Sequence, residues 1–227
     1  MITAQEFLSE SGKVAVREAI AAAEECTSAE IVCAVATESG RYDRAESMVG
    51  LGTGIILMSV VYALGLGMPP AESGSWGAGG AALGWLSAAM VAGFILGSVL
   101  ASYCHALRRL FVGEAEMDEE TAHAAAHVFG LARLGDTRAR AGVLVYVSVF
   151  ERRVVVMADT AAARVLGAEG IARLRDMAVG RLREGRRTET FVDTIVEAAR
   201  ALAGPLPRGG DDGGRVPDDL KFFHPRP

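Results

Sequence analysis

Apolar residues along the chain follow three patterns, and each predicts a different element. Near the start, Phe7, Val16, Ile20 and Ala23 recur at turn-like spacing among acids, and Thr3-x-x-Glu6 precedes them as a capping box. This predicts an amphipathic helix that ends near Thr27-Ser28. Short unbroken apolar runs come next. "EIVCAVAT" at 30–37, "GVLVYVSV" at 142–149 and "VVVMAD" at 154–159 are rich in β-branched residues and read as strands buried on both faces. A helix is predicted at 114–132, where an acidic first half suits the N-terminal dipole, and helical spacing returns in Ile171, Leu174, Ala178 and Leu182 and in Phe191, Ile195, Ala199 and Leu202. The third pattern is an apolar block with no periodicity. From Ser47 through His105 the only formally charged residue is Glu72.

That block is long enough for two crossings of a bilayer, since about 20 apolar residues in a helix span roughly 30 Å. Spans are predicted at about 48–68 and 81–103. Pro69-Pro70 ends the first, and a loop containing Trp76 joins them. Glycine motifs within the block invite a nucleotide-binding reading. Gly50-x-Gly52-x-Gly54 and the run starting at Gly77 nevertheless lack the strand-to-helix context that such a fold requires. Gly50/Gly54, Gly80/Gly84 and Gly93/Gly97 instead share the spacing that lets helices approach closely in lipid, against each other or against a second copy. Arg41 and Arg44 precede the block, Arg108 and Arg109 follow it, and the loop has neither Lys nor Arg. The positive-inside rule therefore puts both flanks in the cytoplasm and the connecting loop outside.

The expected organisation is a split domain. Residues 1–44 and 108–204 make its two parts, 45–107 the transmembrane hairpin, and 205–227 a loose tail rich in Gly, Pro and Asp. The order α-β-hairpin-α-β-β-α-α suits an α/β fold: a three-layer α/β/α sandwich around a small mixed sheet. The 51% hydrophobic content is thereby localised, and the net charge of −5, with no aromatic-studded basic stripe, gives no sign of nucleic-acid binding. Cys26, Cys33 and Cys104 form no C-x-x-C pair, which argues against a disulfide framework or zinc knuckle. His123 and His127 share a helical face but lack the Glu of H-E-x-x-H and a third ligand. No metal and no cofactor is expected.

The run Ala23 to Ile31 (AEECTSAEI), the run Arg140 to Leu144 (RAGVL) and the segments "FVDTIVEAARALA" and "VPDDL" resemble the TPM domain, in particular its bacterial membrane branch with a hairpin after the first strand. The resemblance implies a three-layer sandwich and one of two roles: upkeep of a membrane protein complex, or the acid phosphatase activity ascribed to some plant members. Where the better-known branch carries Lys-x-Asp-Asn-Gly-Val, this chain has Arg138-Ala139-Arg140-Ala141-Gly142-Val143, and Ala158-Asp159-Thr160 replaces a Gly-x-Gly. The acidic group is basic here.

Parallel first and second strands with an antiparallel third would bring Ser28, Glu30, Arg140, Asp159 and Thr160 to one sheet edge. Glu30, Arg140 and Asp159 are then the catalytic candidates. An Arg between two carboxylates could bind a phosphate or orient an Asp nucleophile. The plainer alternative is an ion pair that closes the edge, with Asp159 capping the next helix. The partners expected are the bilayer, another membrane protein, and a second copy packed through small-residue helix faces.

Overall fold

The computed structural model describes residues 2–65, 78–104, 109–134, 141–208 and 220–227. The chain divides into two units, Met1–Gly40 with Ala115–Pro227, and Arg41–Glu114.

The first unit is built on a four-stranded sheet. Its elements are α1 (Ala4–Phe7), α2 (Glu10–Cys26), β1 (Glu30–Ala36), α5 (Glu114–Leu131), β2 (Gly142–Ser148), β3 (Arg153–Ala158), α6 (Thr160–Arg183), α7 (Arg187–Ala203) and β4 (Leu220–Phe223). The order across the sheet is β3-β2-β1-β4. β1 pairs parallel with β2 from Glu30↔Gly142 to Ala36↔Ser148, and β2 pairs antiparallel with β3 from Val143↔Ala158 to Ser148↔Arg153.

Strand alternation sends side chains to opposite faces, and both faces are covered. Ile31, Cys33, Val35, Val143, Val145 and Val147 pack with Val16 and Ile20 of α2, Leu174 of α6, and Phe191 and Ile195 of α7. On the other face Val32, Ala34, Leu144 and Tyr146 meet Ala124, Ala125 and Val128 of α5. The central strands are apolar without alternation because neither of their faces meets water.

Two local readings change. The first helix is broken. Thr3 caps α1 with the full capping box, in which hydrogen bonds from Thr3 hold the Glu6 carboxyl below its usual range. Ser9 then starts α2 by accepting from Gly12 N–H. The tail is also not all loose, because Leu220–Phe223 pairs parallel with β1 as the sheet's other edge. A four-residue strand has too little pattern to stand out from sequence; its stability comes from pairing with β1. Residues 209–219 lie outside the described set.

The second unit contains α3 (Asp43–Ala63) and α4 (Ala78–Tyr103). At 1.5 Å per residue they are about 31 and 39 Å long. Among the described residues they are the two helices long and apolar enough to cross a membrane. They pack on each other through glycine. A Cβ at Gly93 would come within 2.7 Å of Gly54 Cα, and one at Gly97 within 2.9 Å of Gly50 Cα. The expected G-x-x-x-G pairs 50/54 and 93/97 thus face each other inside the chain. Gly84 has open space around it, and the side-chain environment of Gly80 lies outside the described set. The same is true of the joining loop with Trp76, and of His105 and Arg108.

Candidate functional site

The mixed sheet has two ends with different chemistry. The first is the edge expected from sequence. The strand directions are as expected, so Glu30 at the start of β1, Gly142 at the start of β2 and Asp159 just after β3 share one end. Asp159 N–H donates to the Gly142 carbonyl at 2.8 Å. Glu30 and Asp159 are therefore two strands apart, roughly 10 Å. Arg140, the cation meant to stand between them, lies outside the described residues.

Asp159 occupies the N-cap of α6 with extended φ/ψ, yet its side chain makes no capping hydrogen bond. One carboxylate oxygen accepts weakly from the Thr160 hydroxyl at 3.3 Å; the other is buried without a hydrogen bond to any described residue. The capping role in the plainer reading is therefore not played. Glu30 is half-buried, and its Oε2 is shielded from solvent. The Ser28 N–H donates to the Leu206 carbonyl at 3.0 Å. Among the described residues no group of three or more His, Cys, Asp or Glu could hold a metal ion.

The opposite end, where β1, β2 and β4 finish, holds a polar cluster that the sequence reading missed. Ser39, Tyr146, Ser148 and Glu151 are all buried, with Glu151 at 0% exposure. Glu151 comes from the β2–β3 turn. Its Oε1 accepts from Ser39 N–H at 2.8 Å and Gly40 N–H at 3.3 Å, and its Oε2 accepts a very short hydrogen bond from Ser148 Oγ. Ser39 Oγ lies 2.8 Å from Ser148 Oγ and 2.9 Å from Tyr146 OH.

Each hydroxyl has one proton to give, so the carboxylate fixes the direction of the whole chain. Ser148 gives its proton to Glu151, Ser39 gives its own to Ser148, and Tyr146 gives its own to Ser39. This order needs a protonated tyrosine. Burial, with the Glu151 charge as a lesser cause, pushes the Tyr146 hydroxyl well above its ordinary range.

Neighbouring contacts tighten the same end. Arg226 lies 3.5 Å from the Glu38 carboxylate, and Thr37 Oγ1 lies 2.9 Å from His224 Nδ1. The Glu151 carboxylate binds both amides and anchors the run of hydroxyls, so the cluster acts as a joint that fixes residues 37–40 at this end of the sheet. One signal was present beforehand: Tyr146 and Ser148 fall on the same face of an otherwise aliphatic strand, with an acid in the turn after it.

No family model matches the chain, and no curated protein matches it. Among solved structures the chain is similar to the NMR structure of the BA42 protein from the psychrophilic bacterium Bizionia argentinensis. The two are 17% identical with a TM-score of 0.56, over 97% of this chain and 99% of the other. At that identity the likeness bears on the fold.

A third feature is a groove of about 1260 Å³ along β3. Val154 and Val156 line it beside Ile171, Val179 and Leu182 of α6, and five arginines (152, 153, 175, 183 and 187) line it against two acids, Asp118 and Asp176. Neither Glu30 nor Asp159 belongs to it.

Proposed function

We propose that the chain is a membrane-anchored, TPM-like interaction domain of a bacterial inner membrane. A two-helix transmembrane hairpin holds a three-layer α/β/α sandwich at the cytoplasmic face. There the sandwich binds, or helps maintain, a membrane protein complex.

The observation that carries this reading is the inverted surface of the helical pair. The windows that qualify α3 and α4 as spans are only 22% and 11% buried, whereas the core helix of a soluble protein is mostly buried. Ile56, Leu83, Leu96 and Leu100 are each more than half exposed. An apolar surface this continuous calls for a partner or lipid. The hydroxyls agree. Thr53, Ser59 and Ser102 each donate to the carbonyl four residues earlier, at 2.9, 2.8 and 3.0 Å, which satisfies them without water. A hydrogen-bonded joint at residues 37–40 fits a scaffold better than a reaction centre.

The test has two arms. Membranes from cells expressing the full chain are washed with alkaline carbonate, and the chain should stay in the pellet. Affinity capture from detergent-solubilised membranes should then bring down a membrane protein at a fixed ratio. Release by carbonate would remove the anchor, and capture of the chain alone would remove the interaction role.

Asp159 favours one second reading, a membrane-tethered phosphatase-like hydrolase. Its buried, uncapped carboxylate oxygen is the kind of group that Arg140 could orient for attack on a phosphomonoester. Hydrolysis of p-nitrophenyl phosphate, assayed with and without divalent ions and abolished by Asp159→Asn, would establish it. Turnover equal in the variant would dismiss it.

A further inference from the structure

The groove beside β3 contains something more specific than apolar surface: an unpaired strand edge. The Asp159 N–H bond to the Gly142 carbonyl fixes the phase of the β2–β3 ladder. Antiparallel neighbours alternate between bonded and non-bonded pairs. Residues 153, 155, 157 and 159 therefore face β2, and the backbone groups of Val154, Val156 and Ala158 face away from it. Phasing on the other side of β2 agrees, since Val149 N–H donates to the Ala36 carbonyl of β1.

β3 ends the strand order, and no described residue hydrogen-bonds to those three outward amides. Helices flank the edge without covering it. Asp118 and Thr121 of α5 line one wall; Ile171, Arg175, Val179 and Leu182 of α6 line the other. Native proteins blunt exposed edges because such rows of N–H and C=O groups template pairing with another chain. Here three successive valines, 154–156, are left at the edge.

Charge says what kind of chain would fit. The lining arginines outnumber the lining acids five to two in a protein whose net charge is −5. Three of the arginines are engaged: Arg153 lies 2.7 Å from Asp118, Arg175 lies 2.7 Å from Asp176, and Arg187 donates to the Phe7 carbonyl at 3.4 Å. Arg152 and Arg183 are exposed and have no acidic partner among the described residues. Arg152 is held at φ 56° in the turn before β3, at the groove's end.

We propose that the β3 edge is a docking site for an extended acidic segment of a partner protein, added as a fifth strand. Its backbone pairs with Val154, Val156 and Ala158, its apolar residues enter the groove beside Ile171 and Val179, and its carboxylates meet Arg152 and Arg183. Strand addition of this kind takes affinity from the main chain and selectivity from alternate side chains. The proposal deepens the interaction-domain reading and rests on it.

The test uses the full chain in detergent micelles and three capped eight-residue peptides: alternating Val-Glu, alternating Val-Lys, and Val-Glu N-methylated on alternate amides. The Val-Glu peptide should bind, weaken with added salt, and slow amide hydrogen exchange in 153–158. The Val-Lys and N-methylated peptides should each bind at least about tenfold more weakly. Val156→Pro removes an outward N–H without touching a bond to β2, and it should also cost about tenfold or more. Arg152→Glu combined with Arg183→Glu leaves the strand intact and should reverse the preference toward Val-Lys.

Equal binding of the N-methylated peptide, no change in exchange, or no binding at all would overturn the proposal. So would a concentration-dependent dimer abolished by Val156→Pro, which would assign the edge to a second copy. Carbonate release of the chain would refute the anchor and leave these peptide measurements unchanged, so the two failures are distinguishable.

Discussion

The sheet domain and the helical pair are both rich in apolar residues, and they arrange them in opposite ways. In the domain the large side chains are inside: Ile20, Leu144, Tyr146, Phe191 and Ile195 are all under 2% exposed. In the helical pair the large side chains are outside, with Ile56 at 65% and Leu96 at 63%, and glycine occupies the contact. The domain is organised by water, which drives aliphatic bulk inward. In a bilayer that drive is absent between helices. Close backbone approach through small residues is then the available source of helix-helix attraction. On the proposed membrane reading, one chain carries two packing rules matched to two solvents.

The largest expected effects come from breaking each rule where it applies. Phe191→Ala removes a fully buried ring from the domain core and should lower its stability by about 3–5 kcal/mol, measured by chemical denaturation in detergent. Leu96→Ala, also a large-to-small change but on the outer face of α4, should change the same measurement by less than about 0.5 kcal/mol. If Leu96→Ala proved as costly as Phe191→Ala, the outer face would belong to a protein core.

Next in size is the polar joint. Glu151→Ala leaves the Ser39 and Gly40 amides and the Ser148 hydroxyl without their acceptor, and should cost about 3 kcal/mol. Glu151→Gln retains an acceptor for the amides and should cost less, though it disturbs the direction of the hydroxyl chain.

Gly93→Ile places a branched side chain against Gly54 Cα and should separate α3 from α4, read as lost crosslinking between cysteines introduced on the two helices. Gly84→Ile meets open space and should leave that crosslinking intact. Equal effects from the two glycines would contradict the glycine contact.

The smallest effect concerns pH. The folded domain raises the Tyr146 pKa above its ordinary value of 10, so the unfolded chain loses that proton first. The stability this contributes is fully present below about pH 10 and is lost as pH rises above it, at up to about 1.4 kcal/mol per pH unit. Tyr146→Phe should flatten the alkaline limb of the stability curve and leave the neutral region flat.

Much of the fold was legible because local and global preferences coincide in it. The continuous β-branched runs marked β1, β2 and β3 to within a residue, and the capping box marked the first helix start. Leu220–Phe223 was not legible, since four residues after an Asp-rich stretch acquire strand character only by pairing with β1. The strand directions assumed at the sequence level, parallel for β1 with β2 and antiparallel for β2 with β3, are those of the sheet, and they bring Glu30 and Asp159 to one edge. The Ser39, Tyr146, Ser148 and Glu151 network was hidden for a different reason. Its members are 112 residues apart at the extreme, and only the parallel register of β1 and β2 makes them neighbours.

The proposed anchor puts α3 and α4 in hydrocarbon, and Trp85, exposed on the outer face of α4, reports on that directly. Trp76→Phe leaves Trp85 as the only tryptophan in the chain. In vesicles, its fluorescence should be quenched strongly by lipids brominated along the acyl chains and hardly at all by aqueous iodide. Strong iodide quenching with no response to brominated lipid would place the helix in water and contradict the claim.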